Sequence, residues 1–397
     1  MKSKIFIIAV VLFVLINITC ISAVENTQTI YNSTHHNTCD FTTLNNNLNK
    51  NTTTNQLNKN YIYNSSRDDG YKSGILINRN NYVLDGKSHV IDAKNNARIF
   101  NITSSNVTLK NIRFINGNAT NGGAIYSKYG LNLINCFFEN NNANQSGGAV
   151  FIENDYSKSK LTSTFINNNA NNGGAIYFNS TTEKNSIKSK FKNNTATRAG
   201  GAIYFRGTST GNEFKSGFYN NTALEASGGA MFFYTLSQQN IYNSIFQHNM
   251  AMYGAGIFFY NQSNNNIFNS TFKYNTAKSC GGSIFFYNKT NNNTFDGIFK
   301  NNTGLTGNGG AITFKDESTN SIFNCNFINN RAGEHGGAIN FRQTPHNITF
   351  NGNFTNNHAR YGGAINFFDS LDNIIFNGSL TRNHATQIGN GIAFTKE

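Results

Sequence analysis

The feature that most limits what this chain can fold into is the pentapeptide Gly122-Gly123-Ala124-Ile125-Tyr126, to which the sequence keeps returning. Copies begin at Gly147, Gly173, Gly200 and Gly228, and a permuted one, Gly254-Ala255-Gly256-Ile257-Phe258, follows. Further copies begin at Gly281, Gly309, Gly336 and Gly362, and Gly389-Asn390-Gly391-Ile392 is a worn last one. Successive copies lie 25 to 28 residues apart. A fixed period of that size predicts a solenoid, in which each repeat buries its apolar face only by stacking on its neighbours.

Aligning the repeats assigns the strands. Ile125, Ile176, Ile203, Ile257, Ile284, Ile312, Ile339 and Ile365 form one column, and Phe178, Phe205, Phe233, Phe259, Phe286, Phe314, Phe341 and Phe367 stand two residues later. Apolar residues at a spacing of two predict a strand with that face inward. A second column runs Ile134, Leu161, Ile187, Phe214, Tyr242, Phe268, Phe295, Phe323, Phe350 and Phe376, and four residues on come Phe138, Phe165, Phe191 and their equivalents. Three residues past those phenylalanines is an asparagine, from Asn141 to Asn383, usually followed two residues later by alanine. Asparagine tolerates left-handed backbone angles and its amide bonds to the chain above and below, so one stacked ladder is expected to serve both needs at a tight corner. The glycine pair is expected at the next corner, where a Cβ has no room. Three strands and about 27 residues per turn predict an all-β parallel β-helix of roughly 11 repeat coils, preceded by irregular leading coils. No segment carries a useful 3.6-residue apolar period, which excludes a helical solenoid.

The ends are different. Lys2 and Lys4, the apolar run Ile5–Ile16 and the small residues up to Ala23 have the order of a secretory signal peptide, residues 1–23; retention as an uncleaved anchor is the alternative. No second apolar segment follows, so the mature chain is not expected to span a membrane by helices. Residues 24–60 are rich in Asn and Thr; Phe41 to Leu48, with Asp40 or Thr38 near its start, reads as a short helix closing the end of the solenoid, or else as a disordered leader. Residues 61–113 are the leading coils and 114–397 the repeats.

Composition narrows the partners. The net charge is +13, which favours anionic partners such as acidic polysaccharide or a phosphate-rich polymer, or is a mild basic bias with no defined partner. No run of Lys or Arg interleaved with aromatics suggests nucleic acid. Cys136 and Cys325 occupy one column seven coils apart, at about 4.8 Å per coil too far to bridge, among Ser163, Ser189, Ser216, Ser244, Ser270, Gly297, Gly352 and Gly378. They read as small space-fillers. HExxH, CxxC, EF-hand and phosphate-loop patterns are absent, so neither metal nor cofactor is expected.

Gly-Gly-Ala-Ile paired with Phe-x-x-Asn, from Phe114 to Ile392, resembles the polymorphic membrane protein repeat of chlamydial surface proteins. Tyr82-Val83-Leu84-Asp85-Gly86 through Ile91-Asp92-Ala93 resembles the first coil of the adhesin-like proteins of methanogenic archaea, whose Asn-rich composition is also similar. The resemblance implies a secreted, right-handed, pectate-lyase-like β-helix with a role in adhesion. Chlamydial members end in an outer-membrane barrel and many archaeal ones in an anchor or immunoglobulin-like repeats, whereas this chain stops within a coil. A secreted short form, end-to-end self-association and a truncated reading frame are the readings of that difference.

Two surface candidates stand out. Between the inward columns of the first strand, the outward position reads Tyr126, Phe151, Tyr177, Tyr204, Phe232, Phe258 and Phe285, widened by Tyr234, Tyr260 and Tyr287, then turns to Thr313, Asn340, Asn366 and Ala393. Seven stacked aromatics predict an exposed ridge for glycan or protein binding; the competing reading is that like stacks on like to stabilise the sheet, or that a loop covers the row. In the last coils Arg331, His358 and His384 share a column, with His335, Arg360 and Glu334 near in sequence, a basic cluster for an anionic glycan or proton transfer. Asp155, Asp296, Asp316, Asp369 and Asp372 are scattered singly, so the paired acids of a polysaccharide lyase or hydrolase are not expected. The sequence thus predicts a non-enzymatic, exported surface protein that binds glycan or a neighbouring cell, with a polysaccharide-degrading enzyme or a structural envelope component as alternatives.

Overall fold

The computed structural model describes residues 38–49, 52–368 and 370–396. The expected signal peptide lies outside them. From Thr38 onward the chain winds as a right-handed parallel β-helix of about 27 residues per coil. Its three parallel sheets contain 32, 11 and 13 strands. The 13-stranded sheet takes one strand from each turn and so counts the coils it passes through.

The turn at Leu131–Glu139, Asn142–Ser146 and Val150–Ile152 has the three strands expected, but many later turns are more finely divided. In one coil the chain runs Ser209–Thr210, Glu213–Phe214, Gly217–Tyr219, Thr222–Ala223 and Met231–Phe233. The first three lie on one wide face, the fourth on a narrow face and the last after the glycine corner. The wide face is broken because Gly211 takes a left-handed φ of 62°, and its equivalents in other coils, Lys184 and Gln239, do the same.

Inward residues form one continuous core. Phe165, Phe191, Phe218, Phe246, Phe272, Phe299, Phe327 and Phe354 are completely buried, each paired with the next across the coils. Neighbouring rings in this column sit 4.7–5.0 Å apart and nearly parallel. Each such burial contributes about 1.5–3 kcal/mol before the ring contacts are added. In the next column the coil at Leu131–Glu139 presents Leu133, not Ile134. Leu133 pairs with Leu161, and an extra residue is absorbed as a bulge before Phe137. Alignment by fixed spacing misplaced that member by one.

The corner asparagines do only half of what was expected of them. Asn141, Asn168, Asn194, Asn221 and their successors through Asn357 form a buried ladder. The left-handed backbone falls on the residue before each: Asn140, Asn167, Asn193, Asn220, His248 and Tyr274, with φ of 53–55°. One position makes the turn and the next fills its hydrogen bonds. A second ladder escaped the sequence reading. Asn185, Asn212, Asn240, Asn266 and Asn293 are buried, and each bonds its Nδ2 to a carbonyl of the coil before, such as Tyr156 O at 2.7 Å. Asn-x-Ile/Phe/Tyr, two residues before the second apolar column, was its sequence signature.

The serine and cysteine column is a third ladder. Ser163 Oγ accepts from the Cys136 backbone N–H at 3.1 Å and donates to Leu133 O at 3.1 Å, and Ser189 Oγ does the same for Ser163 and Leu161. Cys39, Cys136, Cys280 and Cys325 are free thiols. At the glycine corner the first glycine takes a left-handed φ, 63° at Gly173, and a Cβ on the second, Gly174, would strike the Gly201 carbonyl of the adjacent coil.

A helix, α1 (Phe41–Leu48), lies at the first coil with Phe41, Leu44 and Leu48 buried. Asp40 caps it through Thr43 N at 2.9 Å. The buried Asp68 carboxylate accepts from the Phe41 and Thr42 backbone N–H groups at 3.0 and 2.8 Å, so the helix start is tied to the solenoid by its own unpaired donors.

Candidate functional site

The aromatic row is present and in register. Tyr126, Phe151, Tyr177, Tyr204, Phe232, Phe258 and Phe285 pair successively across the glycine-following sheet. Their centroids are 4.8–5.5 Å apart with interplanar angles of 2–18°. It is not the exposed ridge expected of it. Phe151, Tyr177, Phe232, Phe258 and Phe285 are buried, and only Tyr126 and Tyr204 are half-exposed.

Two flanking columns explain the burial. Directly before each glycine pair stand Ala199, Ser227, Tyr253, Cys280, Asn308 and His335, whose carbonyls accept from the first glycine of the preceding coil. From Thr222–Ala223 to Arg331–Ala332 the narrow-face strands shrink to two residues, as in Met250–Ala251 and Thr276–Ala277, and the released segments stand up beside the row. Tyr253 meets Phe285 edge-on at 5.5 Å, and Cys280 packs on the rings. On the other side, two residues after each floor position from Tyr204 to Asn366, stand Arg206, Tyr234, Tyr260, Tyr287, Lys315, Arg342 and Phe368. Tyr234, Tyr260 and Tyr287 are exposed and stack on one another at 5.3 and 5.1 Å. A row placed between two taller rows becomes the floor of a groove.

That groove is a cleft of about 830 Å³. Tyr204, Phe232, Phe258 and Phe285 make its floor, the three exposed tyrosines one wall, and Ser227, Tyr253 and Cys280 the other. Arg198 and Arg206 stand toward one end, Lys315 and Arg342 toward the other, and among the described residues no carboxylate lines it. The sequence reading missed these cations, although Arg206, Lys315 and Arg342 occupy the column of Tyr234 and could have been read with it. Burial, then neighbouring Tyr177 and Tyr234, pushes the Tyr204 hydroxyl up, so it remains a donor. Tyr126, outside the cleft, is pushed up to about 12 by burial and by Glu153.

Beyond Phe285 the floor turns polar for a packing reason. Thr313, Asn340 and Asn366 are buried beneath His335, whose ring stacks on Tyr361 at 4.8 Å and meets Phe368 at 4.4 Å. Smaller floor residues leave room for that roof, which ends the cleft.

The basic cluster divides. Arg331, His358 and His384 do share one column, and the two imidazoles stack at 5.0 Å. Arg331 and His358, with Arg360, line a shallow hollow of about 560 Å³ on the narrow face; His384 is not part of its lining. His335 does not join them: it belongs to the wall beside the aromatic row, where its Nδ1 bonds Asn308 Oδ1 at 3.0 Å. Sequence nearness did not count the corner between the two positions. Burial lowers the His335 pKa; burial, then Arg331 and His384, lowers that of His358. Arg360 pairs with Glu334 at 3.3 Å.

One titratable group was missed. His346 bonds Asp372 at 2.8 Å through Nδ1 and approaches Glu317 at 3.6 Å through Nε2, and Glu317 pairs with Lys289 at 2.9 Å. Asp372, expected to stand alone, is therefore one of two carboxylates flanking an imidazole, brought together by stacking of three coils. Among the described residues, no three His, Cys, Asp or Glu side chains converge as a metal site requires, and no helix is long and apolar enough to cross a membrane.

Comparison with known proteins bears on the repeat. The model of the Chlamydia polymorphic membrane protein repeat matches residues 188–206 and 324–342. Each window runs from the wide face through a ladder asparagine, Asn194 or Asn330, and the glycine corner to a cleft cation, Arg206 or Arg342. No curated protein sequence and no solved structure matches the chain.

Proposed function

We propose that this β-helix, which carries the polymorphic membrane protein repeat, is an exported, adhesin-like protein of the cell surface that binds glycan through the groove over its aromatic row. The observation that carries the reading is the cleft itself: an apolar floor, convergent hydroxyls and cations, and no elaborate loops, set on a rigid sheet. A solenoid presents such a face with little conformational entropy to lose on binding. The basic hollow at Arg331, His358 and Arg360, with His384 stacked on His358, is a secondary contact in this reading. Purified full-length protein should bind a subset of an immobilised glycan panel. Replacing Tyr234, Tyr260 and Tyr287 together by Ser, which alters only exposed side chains, should remove that binding at unchanged circular dichroism. Binding that survives the triple substitution overturns the assignment to the groove.

A second reading, polysaccharide hydrolysis, has one observation in its favour. His346 between Asp372 and Glu317 gathers acid–base groups within reach of one another. Release of reducing ends from a polysaccharide, lost in His346→Gln, would establish it.

A further inference from the structure

We infer that the ligand of the cleft is a linear acidic polysaccharide, held along the solenoid axis by cations, phenol hydroxyls and ring edges instead of by stacking on ring faces. This rests on the glycan-binding reading above and specifies its chemistry.

The ring faces are already in use. Floor rings lie parallel and in contact from Tyr126 to Phe285, so each covers the face of the next. The Arg98 guanidinium stands 5.3 Å over the Tyr126 ring at one end of the row. On the wall, Tyr234, Tyr260 and Tyr287 cover one another, and Lys315 Nζ sits 3.6 Å over the open face of Tyr287. Along the floor from Tyr204 to Phe285, and between Tyr234 and Tyr287 on the wall, a sugar ring therefore finds no free aromatic plane of the kind that neutral-glycan sites use. What faces the groove is the ring edge, the positive part of the aromatic quadrupole.

The other groups have the same sense. Arg198, Arg206 and Lys315 line the cleft, and among the described residues no carboxylate does. Arg206 and Lys315 are thus positive groups near the two ends of the groove, spaced over roughly 20 Å at ~4.8 Å per coil. The wall tyrosines offer one exposed hydroxyl per coil between them. A repeating polymer with an acid group on its rings can pair with Arg198, Arg206 and Lys315 at once, whereas a neutral glycan brings no charge to these three in a partly desolvated cleft. Single-stranded nucleic acid binds by stacking successive bases on open aromatic faces, and along the floor those faces are taken by the neighbouring rings. An acidic peptide would gain most by pairing with a free strand edge, but the floor strands are paired on both sides. The acid group itself is a carboxylate or a sulfate ester; both meet the same donors.

The test uses the full chain and one polymer backbone in two charge states. Polygalacturonate should bind at least about tenfold more tightly than its fully methyl-esterified form, and the difference should shrink as salt rises. Dextran sulfate against unmodified dextran repeats the comparison for sulfate and identifies which acid group is preferred. Arg206→Gln with Lys315→Gln should abolish the charge preference while leaving circular dichroism unchanged. Equal binding of acidic and neutral forms overturns this inference but leaves the glycan-binding reading standing. Binding of none of these polymers, nor of a broad glycan panel, overturns the reading beneath it. Tighter binding of oligo-dT or polyglutamate than of either acidic glycan overturns the choice of polymer class.

Discussion

Asn168 is bonded twice to Asn194 on the next coil: its backbone N–H and its Nδ2 both donate to the single Oδ1 of Asn194, each at 3.0 Å. Asn194 Nδ2 in turn donates to Phe165 O at 3.0 Å, and to Asn221 Oδ1 at 3.0 Å. Removing one amide therefore orphans groups on both sides. Asn194→Ala leaves the buried Asn168 N–H and the Phe165 carbonyl without those partners, a loss of about 2–6 kcal/mol at 1–3 kcal/mol per orphaned group. Asn194→Asp should be no better, since a carboxylate keeps the acceptor but loses both donors and meets the Asn221 oxygen. Urea unfolding followed by hydrogen exchange at Phe165–Asn168 checks both variants; near-wild-type protection there would refute the ladder's role.

How far such features could be read in advance depended on whether they follow the period. Columns of Phe165, Phe191 and Phe218 repeat, so the fold, its parallel register and the ladder were legible. Leu133 was misplaced because a bulge changes the spacing once, and a column can be aligned only where spacing holds. The Asn185 ladder repeats as regularly as any other; it was overlooked because its signature is a single polar residue within an Asn-rich chain. The cleft is a different case. Whether Phe258 is a ridge or a floor depends on the heights of Tyr253 and Tyr260 beside it, which no single column contains. His335 and His358 were joined because sequence distance ignores the corner between them, and His346 was separated from Asp372 because sequence distance ignores the stacking that brings them together.

Neither glycine of one corner should tolerate a methyl group. Gly173 has a left-handed φ of 63°, and its added Cβ meets the Ile176 carbonyl of the same coil, so Gly173→Ala incurs a backbone clash on top of the αL penalty of about 1–2 kcal/mol. At Gly174 the added Cβ meets the Gly201 carbonyl of the adjacent coil and, beyond it, the Thr195 carbonyl. All these obstacles are backbone, so no side-chain rotation relieves them. Gly173→Ala and Gly174→Ala should each lose more stability than the αL penalty alone, or fail to accumulate as soluble protein. A wild-type urea midpoint in Gly174→Ala would contradict the close approach of the coils.

Cysteine reactivity should separate by position. Cys136 and Cys325 are buried in the serine column, and burial pushes the Cys136 thiol up to about 12 and raises that of Cys325 as well. Thiolate is the reactive form, so both should resist alkylation in the folded protein. Cys280, half-buried beside the cleft floor, should react with iodoacetamide under native conditions, as should Cys39. Mass spectrometry of the labelled peptides gives the order. An acidic glycan bound in the cleft should slow labelling at Cys280 and leave Cys39 unchanged.

Acid should loosen the two ends of the solenoid in different pH windows. In the leading coils burial would raise the Asp85 pKa, but the Asn111 amide at 2.9 Å, the Lys87 N–H at 3.0 Å, and the charges of Lys87 and Lys110 bring it down to about 2. A carboxylate depressed by folding contributes stability above its unfolded value of 3.8 and loses it as pH falls toward 2. In the last coils His335 and His358 are also depressed, by burial, from 6.5. Their neutral forms fit the folded state, so their contribution is complete above pH 6.5 and is lost as pH falls through the lowered folded values. Rate-corrected hydrogen exchange should therefore show the coils around His335 and His358 opening in mildly acidic buffer while the strand at Val83–Asp85 stays protected until pH is below 4. His358→Gln should weaken the first transition and leave the second in place, whereas a single transition common to both ends would show that neither set of groups controls local stability.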